Sequence, residues 1–159
     1  MHPFAYEFVA TVAPNRPRGP VLEIGSKNIN GSIRSLFGGN FYLGIDCVEG
    51  IGVDLVADGK TFKWEHQFAT IVCCEVLEHL FDGEALCKNV YKLLEKGGLF
   101  IITAAHNPRR PHSAVDGGPL REGEFYANVQ EDELKEWLKR FSKVEIILFN
   151  DDIYALAYK

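Results

Sequence analysis

Three acidic residues stand directly after apolar runs in this 159-residue chain, and their placement suits recognition of an adenosine-like group. The run Pro20-Val21-Leu22-Glu23-Ile24 leads into Gly25 and a polar loop, Ser26 to Ser32. An apolar strand that ends in a small-residue turn is how open α/β sheets bring bare backbone up to an adenine-containing cofactor. A second run, Asn40-Phe41-Tyr42-Leu43-Gly44-Ile45, ends in Asp46, 21 positions after Gly25. That is where a ribose-binding carboxylate belongs. Asp58-Gly59 closes a third run, and Glu75 directly follows a fourth.

Other reactive side chains collect in residues 106–127, a stretch rich in Pro, Arg, His and Gly. His106 and His112 have the unperturbed pKa that a general base requires. Arg109, Arg110 and Arg121 suit a carboxylate or phosphate on a substrate. Glu78 and His79 read as structural elements that hydrogen-bond helix to loop, with a catalytic His79 as the alternative. The four cysteines, Cys47, Cys73, Cys74 and Cys87, lack C-x-x-C spacing. Cys73 and Cys74 sit inside an apolar run and read as buried thiols, so neither a disulfide framework nor a metal site is expected.

The elements that must position these groups follow from periodicity. Phe4, Phe8, Val9 and Val12 recur at helical spacing and predict a short helix over 3–13. Ser32 is placed to cap a helix through Phe37, ended by Gly38-Gly39. Strands are expected over 21–24, 40–46 and 53–57. The continuous apolar run 68–74 has the pattern of a parallel strand covered on both faces. Leu86, Val90, Leu93 and Leu94 mark an amphipathic helix with Gly97-Gly98 as its terminator, and 99–104 follows as the fifth strand.

Asn128 is a candidate N-cap, with Glu131 as its capping-box partner. Leu134, Trp137, Leu138 and Phe141 supply the apolar face of the helix that follows. The runs 144–149 and 153–158 are separated by only Asn150-Asp151-Asp152, too short for a parallel crossover, so they must be antiparallel neighbours. A loop as long as 106–127 in a compact domain is usually functional or mobile.

Size and composition bound the function. A chain of this length reads as one domain over 1–159. Its 47% hydrophobic and 25% charged residues are ordinary for a globular protein. A net charge of −5 argues against a general nucleic-acid binder. No apolar run approaches membrane-spanning length and the N-terminus lacks signal-peptide features, so a cytoplasmic setting without membrane contact is expected.

Taken together, the chain resembles the class I S-adenosylmethionine-dependent methyltransferases, particularly the methyltransferase-11-like group. The resemblance rests on Val21-Leu22-Glu23-Ile24-Gly25-Ser26, Gly44-Ile45-Asp46, Val56-Ala57-Asp58-Gly59, Cys74-Glu75-Val76-Leu77-Glu78-His79-Leu80 and Leu93-Leu94-Glu95-Lys96-Gly97-Gly98. It implies a three-layer, Rossmann-like α/β fold with a seven-stranded, mostly parallel sheet and an antiparallel C-terminal strand. It implies S-adenosylmethionine as cofactor. Glu23 and Gly25 would shape the loop under the methionine moiety, with Ser26 and Lys27 lining it. Asp46 would accept hydrogen bonds from the ribose hydroxyls. Asp58, followed by Gly59, would bind the adenine amine, and Cys74 and Glu75 would flank the sulfonium end. His106, just past the fifth strand, and His112 are the candidates for a base.

One departure stands out. Lys27 and Ile29 occupy positions where the family's opening loop carries glycines, so this loop must take a different path, with Asn30 and Gly31 making the tight turn. The chain lacks both an Asn-Pro-Pro-Tyr-type run and a Pro-Cys dipeptide, which favours transfer to O or N of a small molecule or glycan over a nucleic acid. The acceptor pocket must come from the N-terminal helix, the 106–127 loop or a partner subunit, such as the second copy of a homodimer. Two rival readings are a non-catalytic regulatory or scaffold relative and a nicotinamide-dependent oxidoreductase. The second needs glycines where Lys27 and Asn30 stand.

Overall fold

The computed structural model describes residues 3–159. Its core is one seven-stranded sheet in the order β3-β2-β1-β4-β5-β7-β6. The strands are β1 (Val21–Ile24), β2 (Tyr42–Asp46), β3 (Leu55–Val56), β4 (Phe68–Cys74), β5 (Leu94–Ala105), β6 (Lys143–Phe149) and β7 (Asp152–Tyr158). The first five run parallel, and β7 lies antiparallel between β5 and β6. This is the expected α/β architecture.

Alternation along the strands builds two cores. Ile71 and Cys73 of β4, with Phe100 and Ile102 of β5, pack with Leu86, Val90 and Leu134 from helices α2 (Gly83–Leu93) and α3 (Glu131–Trp137). Val72 and Ile101 face the opposite way, toward Val9 of α1 (Pro3–Val12) and Phe37. All seven residues of β4 are buried, as its unbroken apolar pattern requires.

Four local readings change. The helix expected from Ser32 is a single 3-10 turn, Arg34–Phe37, although Ser32 Oγ does accept from the Arg34 N–H at 3.2 Å. β3 is only two residues long, because the Asp54 carboxylate instead binds Arg34 Nη2 (2.5 Å) and the Gly44 N–H (2.7 Å). Gly97 and Gly98 do not end α2. That helix stops at Leu93, Leu94 already pairs with Phe68, and the glycines form an irregularity inside β5 where the Gly97 N–H reaches the Lys159 carbonyl. Asn128 does not cap α3. Gln130 holds that position, and the Asn128 amide bridges Asn107 Oδ1 (3.0 Å) and the Arg109 carbonyl (2.9 Å). The terminal hairpin forms as expected, with Asp152 opening β7 opposite Phe149 rather than sitting in the turn.

The register brings Ile24, Ile45, Cys73 and Ile102 level across β1, β2, β4 and β5. The C-terminal ends of these strands therefore share one edge. Strand order reverses between β1 and β4, and a crevice at such a switch point is where open α/β sheets bind ligands.

Candidate functional site

A cavity of about 1330 Å³ opens at this edge. Gly25, at the end of β1, forms part of its wall with a φ of +81°. A Cβ there would come within 2.2 Å of Val76 Cγ2, so no other residue fits without displacing the Val76 side chain.

The glycine-poor loop that follows is braced from outside. The Lys27 N–H donates to Asp46 Oδ2 (3.1 Å), and the Asn28 N–H donates to the Ile51 carbonyl (2.7 Å). Asn28 Oδ1 accepts from the Gly31 N–H, so Gly31 helps make the turn. The close approach falls on the facing segment: a Cβ on Gly52, which has φ +92°, would lie 2.6 Å from the Ser26 carbonyl oxygen. Lys27 and Ile29 are thus accommodated because the glycine sits across from them.

Asp46 and Asp58 line the cavity from β2 and from the turn after β3. Each is set by local backbone: Asp46 Oδ1 accepts from the Val48 N–H (3.2 Å), and Asp58 Oδ1 from the Lys60 N–H (2.8 Å). A carboxylate offers about four lone-pair sites, so both retain acceptor capacity. Gly59 lies beside Asp58 in the wall, its carbonyl held by the Asn89 amide at 2.8 Å.

Glu75 sits in left-handed backbone, with a φ of +56°. Such a conformation costs a non-glycine residue roughly 1–2 kcal/mol. It is held by its N–H to the Thr103 carbonyl (2.8 Å) and by Thr103 Oγ1 donating to Glu75 Oε1 (2.8 Å). Arg109 lies 3.9 Å from Glu75 Oε2 and is also paired with the buried Asp152.

Not every candidate reaches the cavity. Glu23 is buried beneath the loop, where burial raises its carboxyl pKa to about 7 against the opposing pull of the Tyr42 hydrogen bond. Ser26 is buried against Gly44 and its Oγ has no hydrogen-bond partner among the described residues. The Cys74 side chain packs in the core facing α1, where burial pushes its thiol pKa up. His106 is absent from the wall: its Nδ1 lies 2.7 Å from the Val129 carbonyl. His112 does line the cavity, together with Arg109 and Arg110, while Arg121 pairs with Asp116 instead.

Wall residues beyond the cofactor and base assignments read from sequence include two close to Glu75. Val76 and His79 follow Glu75 and enter the cavity beside the 106–127 loop. His79 and His112 meet edge to face at 5.0 Å, and burial, aided by His112, lowers the His79 pKa to about 4. The only available signal was the Glu-His pair in the segment after β4, because contact with the loop is a long-range event.

Residues 1–142 match the model of a methyltransferase domain family. No curated protein sequence matches the chain. Among solved structures, the 1,6-didemethyltoxoflavin-N1-methyltransferase of Burkholderia thailandensis, with 1,6-didemethyltoxoflavin and S-adenosylhomocysteine bound, is similar. Its TM-score is 0.71 at 17% identity, covering 98% of this chain and 78% of that one. The N-methyltransferase NodS of Bradyrhizobium japonicum, in complex with S-adenosylhomocysteine, gives 0.65 at 16% identity, covering 96% and 83%. The magnesium protoporphyrin IX methyltransferase of Synechocystis, with S-adenosylhomocysteine bound, gives 0.66 at 14% identity, covering 97% and 82%.

Proposed function

The chain belongs to the methyltransferase domain family, and from that membership we propose that it transfers a methyl group from S-adenosylmethionine to an oxygen or nitrogen of a small-molecule or glycan acceptor. The observation that carries this reading is the convergence of Gly25, Asp46, Asp58 and Glu75, each from the end of a different strand, on one cavity at the switch point.

The residues fit the cofactor. Asp46 has free lone pairs for the ribose hydroxyls, and Asp58 has them for the adenine amine. Gly25 leaves backbone bare beneath the methionine portion, and Glu75, fixed by Thr103, borders the reacting end. The bound cofactor supplies an electrophilic methyl group on a sulfonium.

For such an in-line displacement, the chain's main task is to position the acceptor and exclude water. The 106–127 loop supplies the acceptor side of the wall through Arg110 and His112. Arg110 suits an anionic group on the acceptor, and His112 is placed to receive a proton where the acceptor must lose one. His106, with its Nδ1 at the Val129 carbonyl and outside the cavity wall, is given no such role in this reading.

Isothermal titration with S-adenosylmethionine and S-adenosylhomocysteine tests the reading. Saturable binding of both is expected. No binding of either at millimolar concentration overturns it.

A further inference from the structure

Glu78, His79 and His112 come together beside the cavity, with both histidines in its wall. One carboxylate oxygen of Glu78 and one ring nitrogen from each histidine all lie within 4.8 Å of one another. Glu78 and His79 belong to the 3-10 turn after β4, Leu77–His79, whereas His112 arrives from the 106–127 loop. Tyr126 closes the group, its ring 5.4 Å from His79 and 5.0 Å from His112. Its hydroxyl is occupied with Asn128 Oδ1 at 3.0 Å.

The state of Glu78 is what makes this cluster more than ring packing. Its side chain is 0% exposed, and although the Glu78 and Ala105 backbone N–H groups and the Arg109 charge act on the carboxylate, neither oxygen makes a hydrogen bond of good geometry among the described residues. His79 Nδ1 is likewise buried without one. Orphaned polar atoms are costly in a protein interior, and a fully buried carboxylate especially so. The Glu78 backbone carbonyl accepts from the Ala127 N–H at 2.8 Å, which ties this turn to the 106–127 loop.

We propose that Glu78, His79 and His112 form a binding site for a divalent transition-metal ion of the zinc type. Two imidazoles and one carboxylate are the donor set such ions favour, while magnesium and calcium prefer oxygen ligands alone. Ligand atoms around a tetrahedral zinc stand roughly 3.3 Å apart, given metal–ligand bonds of about 2.0–2.1 Å. Closing from 4.8 Å asks a modest movement of His112, whose segment contains no helix or strand. The ion would answer the orphaned Glu78 oxygens and tie the loop to the end of β4. Three protein ligands also leave a position open, and both histidines line the cavity. That position would hold an acceptor oxygen and ease loss of its proton, with His112 then a ligand and not the base, a role that rests on the methyl-transfer reading.

The test is titration of chelator-stripped full-length protein with cobalt chloride, followed by visible absorption, and then displacement with zinc chloride. One equivalent should bind saturably, and Glu78→Gln and His112→Ala should each weaken cobalt binding about tenfold or more. Absence of saturable binding at millimolar cobalt and zinc, or wild-type affinity in both variants, overturns the site. If Glu78→Gln loses its native circular dichroism, the wild-type and His112→Ala titrations decide the matter. S-adenosylhomocysteine binding to the metal-free protein is measured alongside. Cofactor binding without metal binding removes only the metal site, and metal binding without cofactor binding removes only the methyl-transfer reading.

Discussion

The Tyr42 hydroxyl donates a 2.6 Å hydrogen bond to Glu23 Oε2, joining β2 to β1 directly beneath the cavity loop. The Arg34 guanidinium lies over the Tyr42 ring at 4.6 Å and bonds Asp54, which in turn accepts from the Gly44 N–H. This polar chain holds the floor of the site, with a buried acid as one member.

That acid makes stability pH-dependent. Burial raises Glu23 from its ordinary value of 4.5 to about 7 in the folded chain. The folded state therefore binds more protons than the unfolded state between those values, and stability falls as pH rises through this window. A tenfold change in proton affinity corresponds to about 1.4 kcal/mol, so the cost at pH 8 is on the order of 3 kcal/mol. Glu23→Gln should leave stability near wild type at pH 5 and raise it relative to wild type at pH 8. Urea unfolding of both proteins at both pH values checks this, and a constant difference between them refutes it.

Asp46→Ala should weaken S-adenosylhomocysteine binding by tenfold or more, about 1.4 kcal/mol, through loss of charge-assisted hydrogen bonds to ribose. It also frees the Lys27 and Val48 N–H groups that Asp46 now holds. Asp46→Asn keeps an acceptor for the loop, so calorimetry on both variants separates loop support from ligand contact. Unchanged affinity in the alanine variant would place the ribose elsewhere.

Gly25→Ala should destabilise the chain by about 1–3 kcal/mol, because the new Cβ meets Val76 Cγ2 and φ is positive. Adding Val76→Ala relieves the contact but not the backbone strain. The double variant should therefore regain part of the loss in thermal unfolding, and a fully additive pair would show that the contact does not matter.

Arg109→Ala should cost about 2–4 kcal/mol, since it removes the guanidinium paired with the buried Asp152 carboxylate. Tyr154 still donates to Asp152 Oδ2 at 2.9 Å, which limits the loss. Because Arg109 also anchors the 106–127 loop, hydrogen exchange should accelerate there before it does in β4 or β5. Uniform acceleration would mean that the pair stabilises the whole fold and not the loop.

Local patterns were sufficient for much of this protein. Apolar runs ending in Gly25, Asp46, Asp58 and Glu75 placed four residues of the cavity wall; for β1, β2 and β4 the reason is that a buried parallel strand stays largely apolar until it emerges at its end, whereas β3 before Asp58 is exposed. The short link after Phe149 likewise demanded antiparallel strands, a matter of chain reach alone. Element ends were harder: Gly97 and Gly98 read as a helix stop, but pairing of Leu94 with Phe68 across the sheet outweighed local preference.

What only the tertiary structure decided are the contacts between segments distant in sequence. Arg109 and Asp152 pair because β7 inserts beside β5, and Gly52 provides room that the loop after Gly25 lacks. Glu78 and His79 meet His112 because the 106–127 segment folds back over the end of β4. Periodicity reports which face of an element is buried. It carries no record of which distant loop will cover the end of a strand, and packing of the whole sheet settles that.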